Sequence, residues 1–326
     1  MAFLNSFLCK NKRTHNIMDR NDLVNSFDLK KSEDFLRNHC DIECLSEFFE
    51  NLLQKWKQKW RNFDDCREDV KEKIDIAFDE LSMRDYFNDI YLDYLYVALE
   101  CIILNRLHDK IYSLISFDHD EIDKLFYEKC KRLSDKDITA EQLGAPPDYA
   151  IPLFAAVVEF SNLDVRKSPI EKVNCLCTTY DLIFAELKSG IIEIISKSDM
   201  ENQIPVIENK DIVPILMAVI IKSKIIHLHS NMYYIEHFLW KLQNSQDVQN
   251  TISNFKVAIE KISTLSDEDL KPCDGKICKE MDSLKMMQLM TTEEKYKKDE
   301  KKSLVENHVH RIYNLILTST TCKLNY

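Results

Sequence analysis

Three glycines in 326 residues set the tightest limit on what this chain can fold into. They are Gly144, Gly190 and Gly275, and the first 143 residues hold neither glycine nor proline. Sheets need tight hairpin turns, and many of those need a positive φ, which glycine supplies without steric cost. So few breakers, combined with long stretches of 3.6-residue periodicity, predict an all-α fold. Hydrophobic residues make up 45% of the chain, enough to build a core and to argue against wholesale disorder.

The pattern divides the chain into a loose tail over 1–30, a helical bundle over 31–115, layered helices over 116–265 and a C-terminal helical extension over 266–326. The bundle opens with "SEDFLRNHCDIECLSEFFENLLQKWKQKW", whose stripe runs through Phe35, Leu36, Leu45, Phe49, Leu52 and Leu53, with Ser32 as the expected N-cap. A second amphipathic run follows Asp64. The long run from Asp85 to Ile115 is apolar on most sides around Leu95–Leu104, so neighbours must bury it. "EIDKLFYEKCKRL" reads as one more helix. "TAEQLGAPPDYAIP" holds one glycine and three prolines and reads as a turn. "SPIEKVNCLC" carries a start signal: Ser168 as N-cap, Pro169 at the first position and Glu171 closing a capping box. "KSDMENQIPVIENK" reads as a loop. In "DIVPILMAVIIKSK", Pro214 falls in the first turn, where a missing N–H costs nothing.

Several functions are disfavoured by what is absent. The formal net charge of −11 argues against a nucleic-acid binder, which needs a basic face. The longest apolar run, Ile212–Ile221, falls well short of the ~20 residues that span a bilayer. An apolar stretch before the first charges is the reverse of a signal peptide. Eleven cysteines without a framework spacing read as reduced thiols of a cytoplasmic protein. Cys175 and Cys177 read as core residues. Cys273 and Cys278 flank an Asp-Gly turn; His308 and His310 lie far downstream, and their spacing is wrong for a zinc finger. His227, His229 and His237 cluster in "IIHLHSNMYYIEHFL", but a helical zinc pair wants a four-residue spacing. No glycine-rich phosphate loop, G-x-S-x-G or H-E-x-x-H occurs. No metal and no cofactor is expected, and the residues give no warrant for bond-making chemistry. A helical protein that works through its surfaces remains.

"DIVPILMAVIIKSKIIHLHSNMYYIEHFL" resembles the heart of the vacuolar protein sorting 9 domain. That family is typified by acids before Pro-[VI]-L, an apolar helix ending in Lys, then "LHSN" and "YI". Asp211, Pro214, Ile215, Leu216, Lys222, Leu228, His229, Ser230, Asn231, Tyr234 and Ile235 fit, without a gap from Pro214 to Asn231. "SPIEKVNCLC" looks like the family's Pro-x-x-Lys helix, and "SNFKVAIEKI" like its last core helix. The resemblance covers roughly residues 95–265. The helices before it match the bundle that precedes the domain in several members.

The resemblance implies an all-helical guanine-nucleotide exchange factor for early-endosomal Rab GTPases, mostly of the Rab five subgroup. Such domains take the GTPase switch regions in a groove between the Pro-bearing helix and the last core helix. An acid just before the first of these enters the nucleotide site. A carboxylate can replace phosphate as the partner of the P-loop lysine and can disturb Mg²⁺ binding there. This chain departs from the pattern. The acid of active members lies four residues before the proline, and here that residue is Lys210, which would repel the P-loop lysine. Asp211 matches a second acid common in the family and is also a residue type that caps helices. A Tyr and a Thr that touch the GTPase correspond to Asn250 and Ser253. Serine keeps the hydroxyl, whereas asparagine loses the aromatic area that anchors many interfaces.

The expectations are therefore a Rab exchange factor or binding regulator, with Asp211 as a weak catalytic acid. Lys210, Pro214, Asn250 and Ser253 would contact the Rab, and exchange would be impaired. The expected location is cytoplasmic, peripheral on early endosomes. Two alternatives stand beside it: an exchange-inactive scaffold that still binds a Rab, and a helical interaction module unrelated to GTPases.

Overall fold

The computed structural model describes residues 28–40, 45–54, 60, 62–84, 89–197 and 209–273. Among these residues there are α-helices and short 3-10 turns, with no strand. The expected loose tail to residue 27, the loop over 198–208 and the extension beyond 273 lie outside the described residues.

Helix α1 spans Leu29–His39. Its N-cap is Asp28, whose carboxylate accepts from the Lys31 N–H at 2.8 Å. Ser32 was expected to cap but sits one turn inside, buried. Asp28 stands three residues before Lys31, the reach at which an N-cap oxygen meets a free N–H. Helix α2, Leu45–Gln54, turns Leu45 and Phe49 inward. Helix α3, Phe63–Arg84, buries Cys66, Val70, Ile74, Ala77 and Leu81. That spacing is a single helical stripe.

Helix α4 runs unbroken from Asp89 to Asp135, 47 residues or about 70 Å. Two helices were expected here. "SFDHD", where the break would fall, contains neither glycine nor proline, so nothing interrupts the backbone ladder. The helix passes continuously through 115–116. Its first half is buried nearly all round, from Leu95 through Leu107, whereas its second half buries one side only, through Ile111, Ile115, Phe126, Cys130 and Leu133. It is the spine against which α1 and α3 pack from one side.

After α4 the chain turns through Asp137 and Gly144, both at positive φ, and a 3-10 turn at Pro147–Tyr149. Gly144 has φ +106°, a conformation that side chains rarely adopt. Helix α5 is Phe154–Phe160 and helix α6 is Pro169–Lys197. The expected capping box of α6 is formed: Glu171 N–H donates to Ser168 Oγ at 3.2 Å, and Ser168 N–H to Glu171 Oε2 at 3.0 Å. Helices α7 (Asn209–Ser223), α8 (Leu228–Phe238) and α9 (Gln246–Thr264) complete the layers. Contacts of α7 and α8 with α4, of α5 with α6 and α7, and of α9 with α6 and α7 close the core. Among the described residues no single helix is long and apolar enough to cross a membrane.

Candidate functional site

Helix α7 is central. Every residue from Ile212 to Ile221 is buried, because α4, α5 and α9 surround it. It starts at Asn209, so Pro214 is its sixth residue rather than part of its first turn. A proline there has no N–H to give the carbonyl four residues back, so its cost is not zero as expected. Pro214 is itself buried. Asp211 is half-buried in the first turn. Lys210 is the second residue of α7, and its side chain lies outside the described residues.

Two features that the sequence did not flag meet at Pro214. A Cβ placed on Gly144 would lie 3.5 Å from Lys271 Nζ and 4.0 Å from Pro214 Cγ. The segment after α9 is brought there by a Ser266–Asp269 capping box, by Lys271 N–H donating to the Gln142 carbonyl at 2.9 Å, and by a 3.3 Å contact of Thr139 Oγ1 with Cys273 Sγ. Lys271 thus adds a cation beside the start of α7.

Helix α9 packs along α7. Its inward side carries Val248, Ile252, Phe255, Ala258, Ile259 and Ile262, while Asn250, Ser253 and Val257 face outward and are exposed. Asn250 Oδ1 accepts from Gln246 Nε2 at 2.9 Å. On the same face, Asn254 Nδ2 donates to the hydroxyl of Tyr180 on α6 at 3.2 Å, so an aromatic ring flanks this surface.

The turn from α7 into α8 bends the chain by 119°. Lys224 leaves α7 at φ 51°, a left-handed stop, and "LHSN" begins α8. The free N–H groups of that beginning are met from outside. Asp123 of α4, 2% exposed, accepts from His229 N–H at 2.6 Å and from Ser230 Oγ at 2.5 Å. Asn231 is the hub behind it. Its Nδ2 donates to Asp164 at 2.7 Å, and its Oδ1 accepts from Lys172 Nζ at 2.7 Å and from Tyr112 OH at 2.8 Å. Lys172 is fully buried, also donates to the Leu163 carbonyl at 3.0 Å and lies over the Tyr112 ring. Burial pulls its pKa down to about 8, against the opposing pull of Asp164. The lysine of the Pro-x-x-Lys pattern is therefore structural.

The three histidines of "IIHLHSNMYYIEHFL" do not converge. His227 Nδ1 stands 3.9 Å from Asp123, His229 meets Phe126 edge-on, and His237 lies on Tyr233 and against Phe63. Among the described residues no three His, Cys, Asp or Glu side chains form a group that could hold a metal. Cys175 is buried, with its thiol pushed up by burial, and Cys177 is pushed up to about 12. Both are inert by that measure. Cys278, His308 and His310 lie outside the described residues.

Two further buried carboxylates escaped the sequence reading. Glu186 accepts from the N–H groups of Ala155 and Ala156 at the start of α5, at 2.9 and 3.0 Å. Glu100 accepts from those of Trp240 and Lys241, just past α8, at 3.3 and 3.2 Å. The signal was there: each is a lone acid in an apolar run, "ALECII" and "IFAEL", at a position the stripe would bury.

What this arrangement defines is an all-helical domain: a buried proline-bearing helix, a locked turn, and a second helix with a polar outer face. Residues 153–267 match the family model described as the vacuolar sorting protein 9 (VPS9) domain. Over that third of the chain the protein is similar to the VPS9 domain, a domain known for guanine-nucleotide exchange on Rab GTPases.

Proposed function

We propose that the protein is an exchange factor or binding regulator of an early-endosomal Rab, of the Rab five subgroup, acting in endocytic traffic. Its place is the cytoplasm, peripherally on early endosomes. The observation that carries the reading is the α7–turn–α8 unit inside the matched region. Asp123, Asp164 and Lys172 hold that turn rigid, and α9 lies alongside α7. A partner that docks across this unit meets a preorganised surface, and preorganisation lowers the entropic cost of docking.

Exchange is weakened on this reading. Lys210 replaces the acid that would pair with the P-loop lysine, Lys271 adds a second cation beside Pro214, and Asn250 offers an amide where an aromatic ring would anchor. These cations are the specific observation that favours the alternative, a Rab-binding scaffold without exchange.

Nucleotide release separates the readings. Rab proteins loaded with a fluorescent GDP analogue are mixed with the full chain, and binding is measured in parallel. Accelerated release from an endosomal Rab supports the exchange factor, whereas binding with unchanged release supports the scaffold. No binding to any Rab overturns the proposal.

A further inference from the structure

The second half of α4 leaves an apolar stripe uncovered. Leu114, Phe117 and Leu125 project to one side of the buried face, with Ile122 at the edge between them and it; all four are exposed, Phe117 and Leu125 by 82% and 67%. A scattered exposed apolar residue needs no explanation, but four within 12 residues of one helix form a patch. Acids surround it: Asp118, Asp120, Glu121 and Glu128 are all exposed, against Lys124 as the one basic residue exposed between Leu114 and Glu128.

The remaining chain supplies a matching partner. The described chain ends at Cys273, held against Thr139, four residues beyond the last residue of α4. From the end of α4, Leu125 lies about 15 Å back along the helix. Thirty-one residues separate Cys273 from Val305, far more than that distance requires. Val305, Val309, Ile312 and Ile316 then recur at i, i+4, i+7 and i+11, the spacing of one helical face. This stripe spans 12 residues, the same as Leu114 to Leu125. The run Lys295–Lys302 just before it holds five lysines and two acids, opposite in sign to the rim of the α4 patch.

We propose that the segment Val305–Ile316 docks in cis on the exposed α4 stripe of Leu114, Phe117, Ile122 and Leu125. Apolar faces of equal length meet, and the lysine run lies by the acids of α4. The inference does not depend on the Rab reading.

The test is photo-crosslinking in the full chain. A benzophenone amino acid replaces Phe117, whose exposure makes the change harmless to the core. A second protein carries it at Met83, equally exposed but on α3. The expected product has the mass of one chain and joins position 117 to a peptide within 303–318. It disappears when Val309→Asp and Ile312→Asp are combined, and position 83 does not give it. A product only at twice the chain mass would assign the stripe to a second copy and overturn the proposal. So would no crosslink to 303–318, a crosslink that survives the double substitution, or the same peptide captured equally from position 83.

Discussion

Buried carboxylates take over the work that capping side chains usually do. Asp123 and Glu186 each give their oxygens to two successive backbone N–H groups where a helix begins, and Glu100 does so just past the end of α8. Those groups have no partner inside the helix, and a carboxylate satisfies two at once. The cost is desolvation. Burial pushes Glu186 up to about 7 and Glu100 up to about 8, against the N–H groups that pull both down. Each folded pKa lies above its unfolded value, so the folded chain holds a proton that the unfolded chain has released. Stability then falls as pH rises toward the folded pKa. His39, His108, His229 and His237, all lowered by burial and His108 to about 4, act the other way, mostly below pH 7. Lys172, lowered from 10.5 to about 8, is charged in both states until pH 8. From pH 7 to 8 the glutamates therefore set the slope, on the order of 1 kcal/mol in total. The melting midpoint should fall over that interval, and Glu100→Gln should flatten the fall. A midpoint that rises would refute the assignment.

Gly190 shows a second residue-scale balance. It lies within α6, where alanine would gain about 1 kcal/mol of helix propensity. Its missing Cβ faces Ile151, which is 3% exposed: a methyl there would run into Cδ1 and stand 3.0 Å from Cγ2 and 3.2 Å from Cγ1. Several atoms of a packed side chain would have to move, and overpacking costs about 1–3 kcal/mol. The clash wins, so Gly190→Ala should lower the urea midpoint with the m-value unchanged.

At the scale of elements, the charge that a docked Rab would meet is set by what stands at the start of α7. Asp211 is an acid there, with Lys210 before it and Lys271 beside Pro214. Like charge opposes the P-loop lysine of a docked Rab, and near a protein surface one such pair at ~4 Å can cost several kcal/mol. Lys210→Asp should therefore raise the rate of nucleotide release, by tenfold or more if about 1.4 kcal/mol is recovered. Lys271→Ala should raise it less. No change with either, in a protein that binds the Rab, would show that the lysines are not what limits exchange.

How much of this was legible differs by element. The capping box at Ser168 and Glu171 and the positions of α7, α8 and α9 follow from local signals, because spacing and caps are written in consecutive residues. The continuity of α4 was missed because a polar "SFDHD" looks like a loop unless the lack of a breaker is weighed. The capping of α8 by Asp123 could not be read, since that partner lies 106 residues away. Lys271 was invisible for the same reason: only the turn at Gly144 brings it to Pro214.

For the whole molecule, the contacts made by α4 have a consequence for how the VPS9 domain can exist. The family match begins at residue 153, yet Asp123, Tyr112 and Glu100, which hold α8 in place, all come from α4. Further ties run from the N-terminal helices. Arg67 Nε donates to the His237 carbonyl at 2.9 Å, and Phe63 packs on Tyr233, His237 and Phe238. Leu29 N–H reaches Glu171 at 3.4 Å. Removing everything before residue 150 would expose Tyr234 and Phe238, now fully buried, and strip two backbone N–H groups at α8 of their acceptor. Exposing large apolar side chains costs about 1.5–3 kcal/mol each, and orphaned polar groups add about 1–3 apiece. Against a domain stability of only ~5–15 kcal/mol, a fragment of residues 150–273 should not fold. The full chain should unfold in one calorimetric transition with equal calorimetric and van't Hoff enthalpies. Asp123→Ala should lower that single midpoint without splitting it. Two resolved transitions, or a folded 150–273 fragment, would show that the matched domain stands without its spine.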